Sequence, residues 1–342
     1  CMLAARFSAI HIRHGGRWHR QIFWTSIRQI MPTGANERCQ MTDSAMTGKK
    51  LTIQKTATQR PPLALIGLPQ DNNSTFLTGP RLAPPLIRAA MTSPSANMFA
   101  ETGTDLGQDI NADGGMIGLW QDAGDLALRG LSGKPAFDAI HDGIADRLAD
   151  GQAVISLGGD HSVTWPAVMA HAAQHQGLTI LHLDAHPDLY DDMEGNPFSH
   201  ASPFARIMED GGAARLIQMG VRTLNAHQRA QVERFSVDCH EMRHAADITE
   251  ISIDGPVYLS IDLDVLDPAF APGVSHHEAG GMSVRDVLHI IQNFGTHSGA
   301  RMIGGDLVEL NPERDVNGVT AMVAAKIVKE MMARCLDDIS GG

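Results

Sequence analysis

Short apolar runs that alternate with helical segments are the feature that most constrains the fold of this chain. The predicted strands occupy 62–67, 153–157, 178–183, 216–219, 257–261 and 301–303, and the predicted helices occupy 86–91, 134–149, 164–174, 284–294 and 319–332. The strands have the apolar composition of parallel strands that are buried on both faces. Strand–helix alternation at this spacing predicts an α/β protein in three α/β/α layers, with a central, doubly wound parallel sheet.

The predicted strand at 178–183 runs directly into DAHPD at 184–188, which offers a possible metal ligand at every second residue. In an extended chain, residues two apart point to the same side, so Asp184, His186 and Asp188 are expected to converge. Open α/β sheets bind ligands at the carboxyl ends of their strands. Grouping carboxylates in such a place costs free energy unless a partner of opposite charge is present. A metal ion is the simplest such partner.

Two more clusters follow predicted strands. GGDHS at 158–162 places His161 at a strand-to-helix junction, and DLD at 262–264 places two carboxylates two residues apart. One such cluster is a weak signal, because Asp after a strand is often a cap or a turn residue. Three clusters at the same end of buried strands indicate one site. The candidate ligands are His161, Asp184, His186, Asp188, Asp262 and Asp264.

This donor set fits two divalent cations. Four carboxylates balance the charge of two such ions, and oxygen-rich ligation with some imidazole and no thiolate favours Mn²⁺ over a structural zinc. Shared carboxylates would hold the ions about 3.5–4 Å apart, the spacing of two-metal hydrolytic sites. We therefore expect two Mn²⁺ per subunit, which would acidify a shared water into a nucleophile at neutral pH.

The motifs GGDHS, DAHPD and SIDLDVLDPAFAPG together resemble the ureohydrolases, the arginase and agmatinase family. The resemblance covers roughly 63–330 and is strongest to plant-type arginases, in HLDAHPDLYDDMEGNPFSHASPFARIME, APGVSHHE and NPERDVNGVTAMVAAKIVKE. It implies an arginase-like α/β fold and a homo-oligomer, a trimer or a hexamer. It also implies that His161 and Asp188 bind one manganese, that His186 and Asp264 bind the other, and that Asp184 and Asp262 bridge them.

Two further residues carry over from the family. His200, in SHAS at 199–202, matches the histidine that passes protons to the leaving amine, a task suited to a group that titrates near neutral pH. Glu309, in DLVELNP at 306–312, matches the glutamate that holds the substrate guanidinium, because a carboxylate can accept two parallel N–H bonds. We expect both to contact the substrate, and we count Asp188 with them as catalytic.

The resemblance implies a small cationic guanidino substrate, with L-arginine giving urea and ornithine as the first hypothesis. Agmatine giving putrescine, or another guanidino acid, is the alternative. The selecting groups are expected in the loop 190–199, where Tyr190 and Asn196 depart from the animal-type pattern. A metal-stabilised pseudoenzyme scaffold would be expected to lack a ligand, His200 or Glu309, and none is missing. Deacetylase-like amidohydrolases fit the paired Asp262 and Asp264 less well.

Two other patterns need interpretation. HEMRH at 240–244 fits the HExxH signature of zinc proteases, but its flanks show no helical apolar stripe, so we interpret it as a coincidence. The triplet His276-His277-Glu278 lies in a predicted loop, where it either borders the pocket or is solvated. The sequence contains no GxGxxG and no Walker loop, so nothing supports a nucleotide cofactor.

The charge of the chain is uneven. Its formal net charge is −12, yet residues 1–60 carry ten Lys and Arg against only Glu37 and Asp43, so the remainder is strongly acidic. An acidic body argues against nucleic acid as a partner and suits a cationic small molecule. No apolar run approaches the roughly 18 residues of a membrane span, so no membrane association is expected.

Residues 1–60 are predicted to be an N-terminal extension, and 61–342 a single catalytic domain. The extension is rich in Arg and resembles a mitochondrial transit peptide. In the interpretation we favour, Met41 or Met46 is the true initiator, because the chain starts with Cys1. The scattered cysteines form no disulfide framework, which predicts a reducing compartment. We expect the cytoplasm, or the mitochondrion if the transit peptide is real.

Overall fold

The computed structural model describes residues 11–14, 17–20, 61–107, 109–110, 116–244 and 246–341. The chain divides into two compact units, Cys1–Thr47 and Gly48–Gly342. In the first unit, β1 (His11–His14) pairs antiparallel with β2 (Arg17–Arg20). The rest of the predicted extension, including both candidate initiators, lies outside the described residues, so the interpretation of that segment stays a prediction.

An eight-stranded sheet, parallel at every pairing, forms the centre of the second unit. Its strands are β3 (Leu63–Leu68), β6 (Trp120–Asp125), β7 (Ala153–Gly158), β8 (Thr179–Leu183), β9 (Arg215–Met219), β10 (Asp238–His240), β11 (Gly255–Asp262) and β12 (Ala300–Val308). Their spatial order is β10-β9-β8-β11-β12-β7-β3-β6. Two short strands, β4 (Asp109–Ile110) and β5 (Met116–Ile117), form a separate antiparallel ribbon.

Helices cover both faces of this sheet. They are α1 (Ala83–Met91), α2 (Gly133–Ala149), α3 (Thr164–Ala172), α4 (Pro203–Glu209), α5 (Ala226–Phe235), α6 (Val284–Asn293) and α7 (Val319–Ser340). Successive strand residues point to opposite faces. Leu181 thus belongs to the apolar cluster under α1, α6 and α7, whereas Ile180 belongs to the cluster under α2, α3 and α4. The predicted three-layer, doubly wound architecture is confirmed.

The sheet order brings four strands of different sequence position together. β8, β11, β12 and β7 are consecutive neighbours in space and run parallel, so their carboxyl ends lie along one edge. The three predicted ligand clusters follow β7, β8 and β11, and Glu309 follows β12. The topology therefore gathers motifs that are separated by as many as 148 residues along the chain.

The HExxH-like segment does not form a helix. His240 ends β10, and residues Met242–His244 form a single 3-10 turn, so the histidine pair does not share a helical face. This confirms the interpretation of the motif as a coincidence. Among the described residues, no helix combines the length and apolar character needed to cross a bilayer.

Candidate metal centre and active site

The six predicted ligands and Glu309 each stand at, or in the turn just after, the carboxyl end of a central strand. His161 begins a 3-10 turn after β7, and the Asp160 side chain caps that turn by accepting the Ser162 N–H. Asp262 ends β11 and caps the next turn by accepting the Asp264 N–H. Asp side chains favour such positions because they satisfy the free N–H groups of a turn. The caps therefore fix the loops from which the candidate ligands project.

One half of the cluster is centred on His161. Its Nδ1 atom lies 3.1 Å from Asp184 Oδ2, 3.1 Å from Asp188 Oδ2 and 3.3 Å from Asp262 Oδ2. All four residues are buried. Three carboxylates thus face a single imidazole nitrogen in the interior of the protein.

The other half is centred on His186. Its Nδ1 atom lies 3.0 Å from Asp264 Oδ2 and 3.4 Å from Asp184 Oδ1. Asp184 therefore uses one oxygen toward each histidine and joins the two halves. All six predicted ligands are brought together, as the spacing of the motifs predicted.

The route by which Asp188 reaches the cluster differs from the predicted one. β8 ends at Leu183, and Asp188 adopts a left-handed backbone with φ of 48°. The convergence of Asp188 thus depends on a turn, and not on alternation along an extended segment. Glu309 also has a positive φ, 65°. Such a backbone in a residue other than glycine is strained, and this kind of strain clusters at functional sites.

The hydrogen bonds around His161 indicate that the cluster fits a metal ion. Ser260 Oγ donates to Asp306 Oδ1 at 2.7 Å, so at 3.1 Å it accepts the proton of His161 Nε2. In the neutral ring, Nδ1 then carries a lone pair, and this buried atom has no hydrogen-bond partner. A lone pair that faces three carboxylates is unfavourable unless a cation lies among them. The nitrogen and oxygen donors present therefore suit a hard or borderline divalent cation.

The pKa values of the cluster reflect the same crowding. Burial, with the charges of Asp264 and Asp184, raises the pKa of Asp262 well above its usual range. Burial and Asp184 likewise raise the pKa of Asp264 to about 7. Burial alone would lower the pKa of His161, but the nearby carboxylates of Asp184, Asp188 and Asp262 raise it well above normal. Without a cation the cluster must retain protons, and metal binding would displace them.

His200 and Glu309 form a second pair beside the cluster. His200 Nδ1 lies 2.8 Å from Glu309 Oε1, which also accepts the backbone N–H of His161 at 2.9 Å. His200 Nε2 lies 2.9 Å from Thr75 Oγ1. Burial lowers the pKa of His200, but the charge and hydrogen bond of Glu309 outweigh it and raise this pKa to about 9. The charge of Glu309 therefore favours the protonated form of the His200 ring.

The two predicted substrate contacts in the loop 190–199 lie in different places. The Tyr190 hydroxyl accepts a hydrogen bond from Asn225 at 2.6 Å, and its ring stacks on His227 of α5. Asn196 donates to Asn73 at 3.3 Å, and the Asn73 N–H in turn donates to Asp160 beside the cluster. These contacts do not test substrate binding, so the roles of Tyr190 and Asn196 stay predictions.

Two residues near the site were not assigned a role from the sequence. His182 is fully buried in β8, and its Nε2 lies 2.8 Å from Asp184 Oδ2. Its position two residues before Asp184 could have indicated that it lies on the same side of the strand as this ligand. A histidine inside an apolar strand, however, is usually interpreted as a core residue. The ring of His276 lies 5.1 Å from that of His200 and 6.1 Å from that of His186. Of the two interpretations left open for the triplet, His276 therefore follows the one that borders the site.

Comparisons with known proteins identify relatives over most of the chain. The profile of the Arginase family matches residues 61–333. "Arginase 1, mitochondrial" of Arabidopsis thaliana is 44% identical over 292 residues, which cover 79% of this chain and 80% of the relative. An agmatinase of Bacillus anthracis is 29% identical over 293 residues, which cover 85% of this chain and 97% of the agmatinase. The solved structure of the arginase from Medicago truncatula superimposes with a TM-score of 0.71 at 40% identity, covering 80% and 86% of the two chains.

Proposed function

Because the chain belongs to the arginase family and is therefore a metal-dependent ureohydrolase, we propose that it hydrolyses L-arginine to urea and ornithine. The identity of 41–44% to plant arginases supports the choice of L-arginine, and the observation that carries a guanidino substrate is the state of Glu309. One carboxylate oxygen is occupied by His161 and His200, whereas the other, Oε2, is buried without a hydrogen-bond partner. A buried carboxylate oxygen needs a donor, and a guanidinium offers planar N–H groups of the right charge.

The metal is proposed to be manganese, two ions per subunit. His161 and Asp188 would hold one ion, His186 and Asp264 the other, and Asp184 and Asp262 would be shared. The contacts of Asp184 with both histidines support its shared role. When bound, two such ions would lower the pKa of a coordinated water and so supply hydroxide, the nucleophile for the guanidino carbon, at neutral pH.

The remaining steps belong to side chains of this chain. Glu309 orients the guanidinium, and its pKa is lowered because, despite burial, the charge of His200 favours its ionised form. His200 holds a proton next to the substrate and gives it to the leaving amine. Thr75 fixes the ring of His200 through its hydroxyl. Urea and ornithine are the products.

Steady-state kinetics of urea release on the manganese-loaded protein test the substrate. L-arginine, agmatine and 4-guanidinobutyrate are compared side by side, and the highest kcat/KM is expected for L-arginine. The agmatinase relatives make agmatine the second candidate. A tenfold preference for agmatine would overturn the first choice. No urea from any of the three, with two ions bound, would instead favour the pseudoenzyme scaffold.

The names of the relatives also bear on the compartment. Relatives from Arabidopsis thaliana, Oryza sativa and Medicago truncatula are called mitochondrial. These names support the mitochondrial alternative, and they lend no support to the cytoplasmic prediction. We therefore propose a mitochondrial enzyme, in which residues 1–60 are translated as a transit peptide and neither Met41 nor Met46 is the initiator. Residues 1–60 fused to a fluorescent reporter are expected to direct it into isolated plant mitochondria, and a reporter left outside would contradict this.

A further inference from the structure

His182 is a third buried histidine within the geometry of the metal cluster. It lies on β8 with no exposed surface, and its ring stacks on Phe204 with 3.8 Å between ring centroids. Its Nε2 atom lies 2.8 Å from Asp184 Oδ2. One ligand atom each of His161, His182 and Asp184 lies within 4.8 Å of the others, a grouping compact enough to hold an ion. His182 is therefore either a seventh ligand or a hydrogen-bond donor to Asp184.

The position of the ring proton decides between these roles, and Gln218 fixes it. Gln218 sits opposite His182 on the neighbouring strand β9, and its Nε2 atom donates to the carbonyl oxygen of Pro187 at 2.6 Å. Exchanging the amide nitrogen and oxygen would place two oxygens against each other, so the assignment of the amide is unambiguous. The Oε1 atom is buried without a partner, so both contacts of this amide are made by its nitrogen.

The same amide nitrogen lies 3.0 Å from His182 Nδ1. Because its second N–H points to Nδ1, that atom must accept, and it cannot carry a proton itself. The single proton of the neutral ring is then on Nε2, where it faces Asp184. A protonated Nε2 has no lone pair to offer a metal. The contacts of the ring therefore exclude both a charged imidazolium and direct ligation.

We propose that His182 is a positioning residue that donates its Nε2–H to the shared carboxylate of Asp184 and does not bind a metal. The inference rests on the proposed function, in which Asp184 is common to both ions. The other oxygen of Asp184 accepts the backbone N–H of His186 at 2.6 Å. With one donor on each oxygen, the plane of the carboxylate is fixed, which would in turn set the positions of the ions that it holds. Such outer partners are worth about 10–100-fold in metal affinity.

Two substitutions of His182 separate its role as a hydrogen-bond donor from its role in packing. His182→Gln keeps an N–H donor, whereas His182→Phe keeps an aromatic ring against Phe204 and loses the donor. Manganese content and affinity are measured by metal analysis and chelator competition, and the coupling of the two ions by electron paramagnetic resonance. We expect His182→Gln to bind two ions as the parent does. His182→Phe should still bind two at saturation, but about 10–100-fold more weakly and with altered coupling.

Two results would overturn the proposal. If the His182→Phe protein binds only one ion at saturating manganese, His182 is a metal ligand. If it binds manganese with unchanged affinity, His182 has no role in positioning Asp184. If His182→Phe does not fold, His182→Met decides, because it also removes the donor and leaves the hydrogen bond from Gln218 to the Pro187 carbonyl in the ligand loop in place; a severalfold weaker affinity than that of His182→Gln is expected, and equal affinity would overturn the proposal. None of these measurements uses a substrate, so they stand apart from failure of the arginine assay.

Discussion

Glu309 shows how the fold positions a single reactive side chain. Its backbone N–H donates to Gly159 of the adjacent strand end, and its φ of 65° turns the chain sharply after β12. A left-handed residue other than glycine costs about 1–3 kcal/mol. Contacts with His161 and His200 hold it in place. The strain is thus retained where it directs a carboxylate into the site.

The substitution Glu309→Gln keeps the shape of this side chain and removes its charge. Loss of a buried, charged hydrogen-bond partner costs several kcal/mol, so we expect kcat/KM for L-arginine to fall at least about 100-fold. Manganese content should stay at the parent value, because Glu309 is not among the six proposed ligands. Metal analysis of the same preparation is the control, and loss of an ion would contradict the assignment.

Folding stability should depend on pH through His200. Its pKa is about 9 in the folded protein, mainly because Glu309 opposes the effect of burial, against 6.5 for an unperturbed histidine. Because the folded state binds this proton more tightly, the stabilisation is complete below pH 6.5 and is lost as the pH rises to 9. It amounts to about 3 kcal/mol. Urea unfolding of the parent and of His200→Asn at pH 6 and 9.5 measures it; an equal difference between the two proteins at both pH values would refute it.

The sequence predicted the convergence of the six candidate ligands because each of them ends a strand or lies in the turn that follows one. Their residue types and spacing at strand ends require no knowledge of the tertiary structure. The turn at Asp188 could not be predicted, because a positive φ leaves no mark in the pattern of an Asp. The role of His182 depends on Gln218, which is 36 residues away and becomes a neighbour only through strand pairing.

The elements that carry the site touch each other at the backbone. Asp160 donates its N–H to the carbonyl oxygen of Gln70, and a Cβ atom at Gly159 would lie 1.7 Å from that same oxygen. The loop after β3 therefore rests directly on the turn after β7. This loop also brings Thr75 to His200. Glycine is required here by close approach.

Gly159→Ala tests this contact between elements. The added methyl group must push the two loops apart, so we expect a lower melting temperature together with weaker manganese binding. Gly299→Ala is the matched control, because the atom nearest to its new Cβ would be Asp254 Oδ1 at 3.9 Å. Differential scanning calorimetry and metal analysis compare the two. Equal melting temperatures would show that the loops can separate without cost.

Some elements escaped the sequence analysis for physical reasons. β6, with the sequence WQDAGD, is an edge strand with mostly uncovered side chains, so it shows no apolar run. α5 buries only Gln228 and Gln231, so it shows no apolar stripe. α7 continues to Ser340, beyond the predicted end at 332, because Cys335 and Leu336 still pack in the core. Every predicted strand and helix was present, since each was recognised by side chains that the core buries.

At the scale of the whole molecule, the resemblance to ureohydrolases predicts a trimer or a hexamer. Val316, just before α7, and Val319 and Met322 in its first turns are apolar side chains that are 40–55% accessible in the single chain. Covering them in an oligomer would remove apolar surface from water. Light scattering after size-exclusion chromatography is expected to give three or six times the 36.8 kDa of one chain. A mass of one chain at micromolar concentration would contradict the prediction.

The order of strands in the sheet also governs how the protein must be made. β11 and β12, the last two strands to be synthesised, lie between β7 and β8 in the sheet. Until they leave the ribosome, the earlier strands can form only two separate half-sheets, each with an unpaired inner edge. At about 5–20 residues per second, this interval lasts on the order of ten seconds. Such edges invite pairing with other chains, so chaperones are needed most in this window. His161 and Asp184 stand on opposite sides of the gap, so the cluster cannot assemble until β11 and β12 are in place.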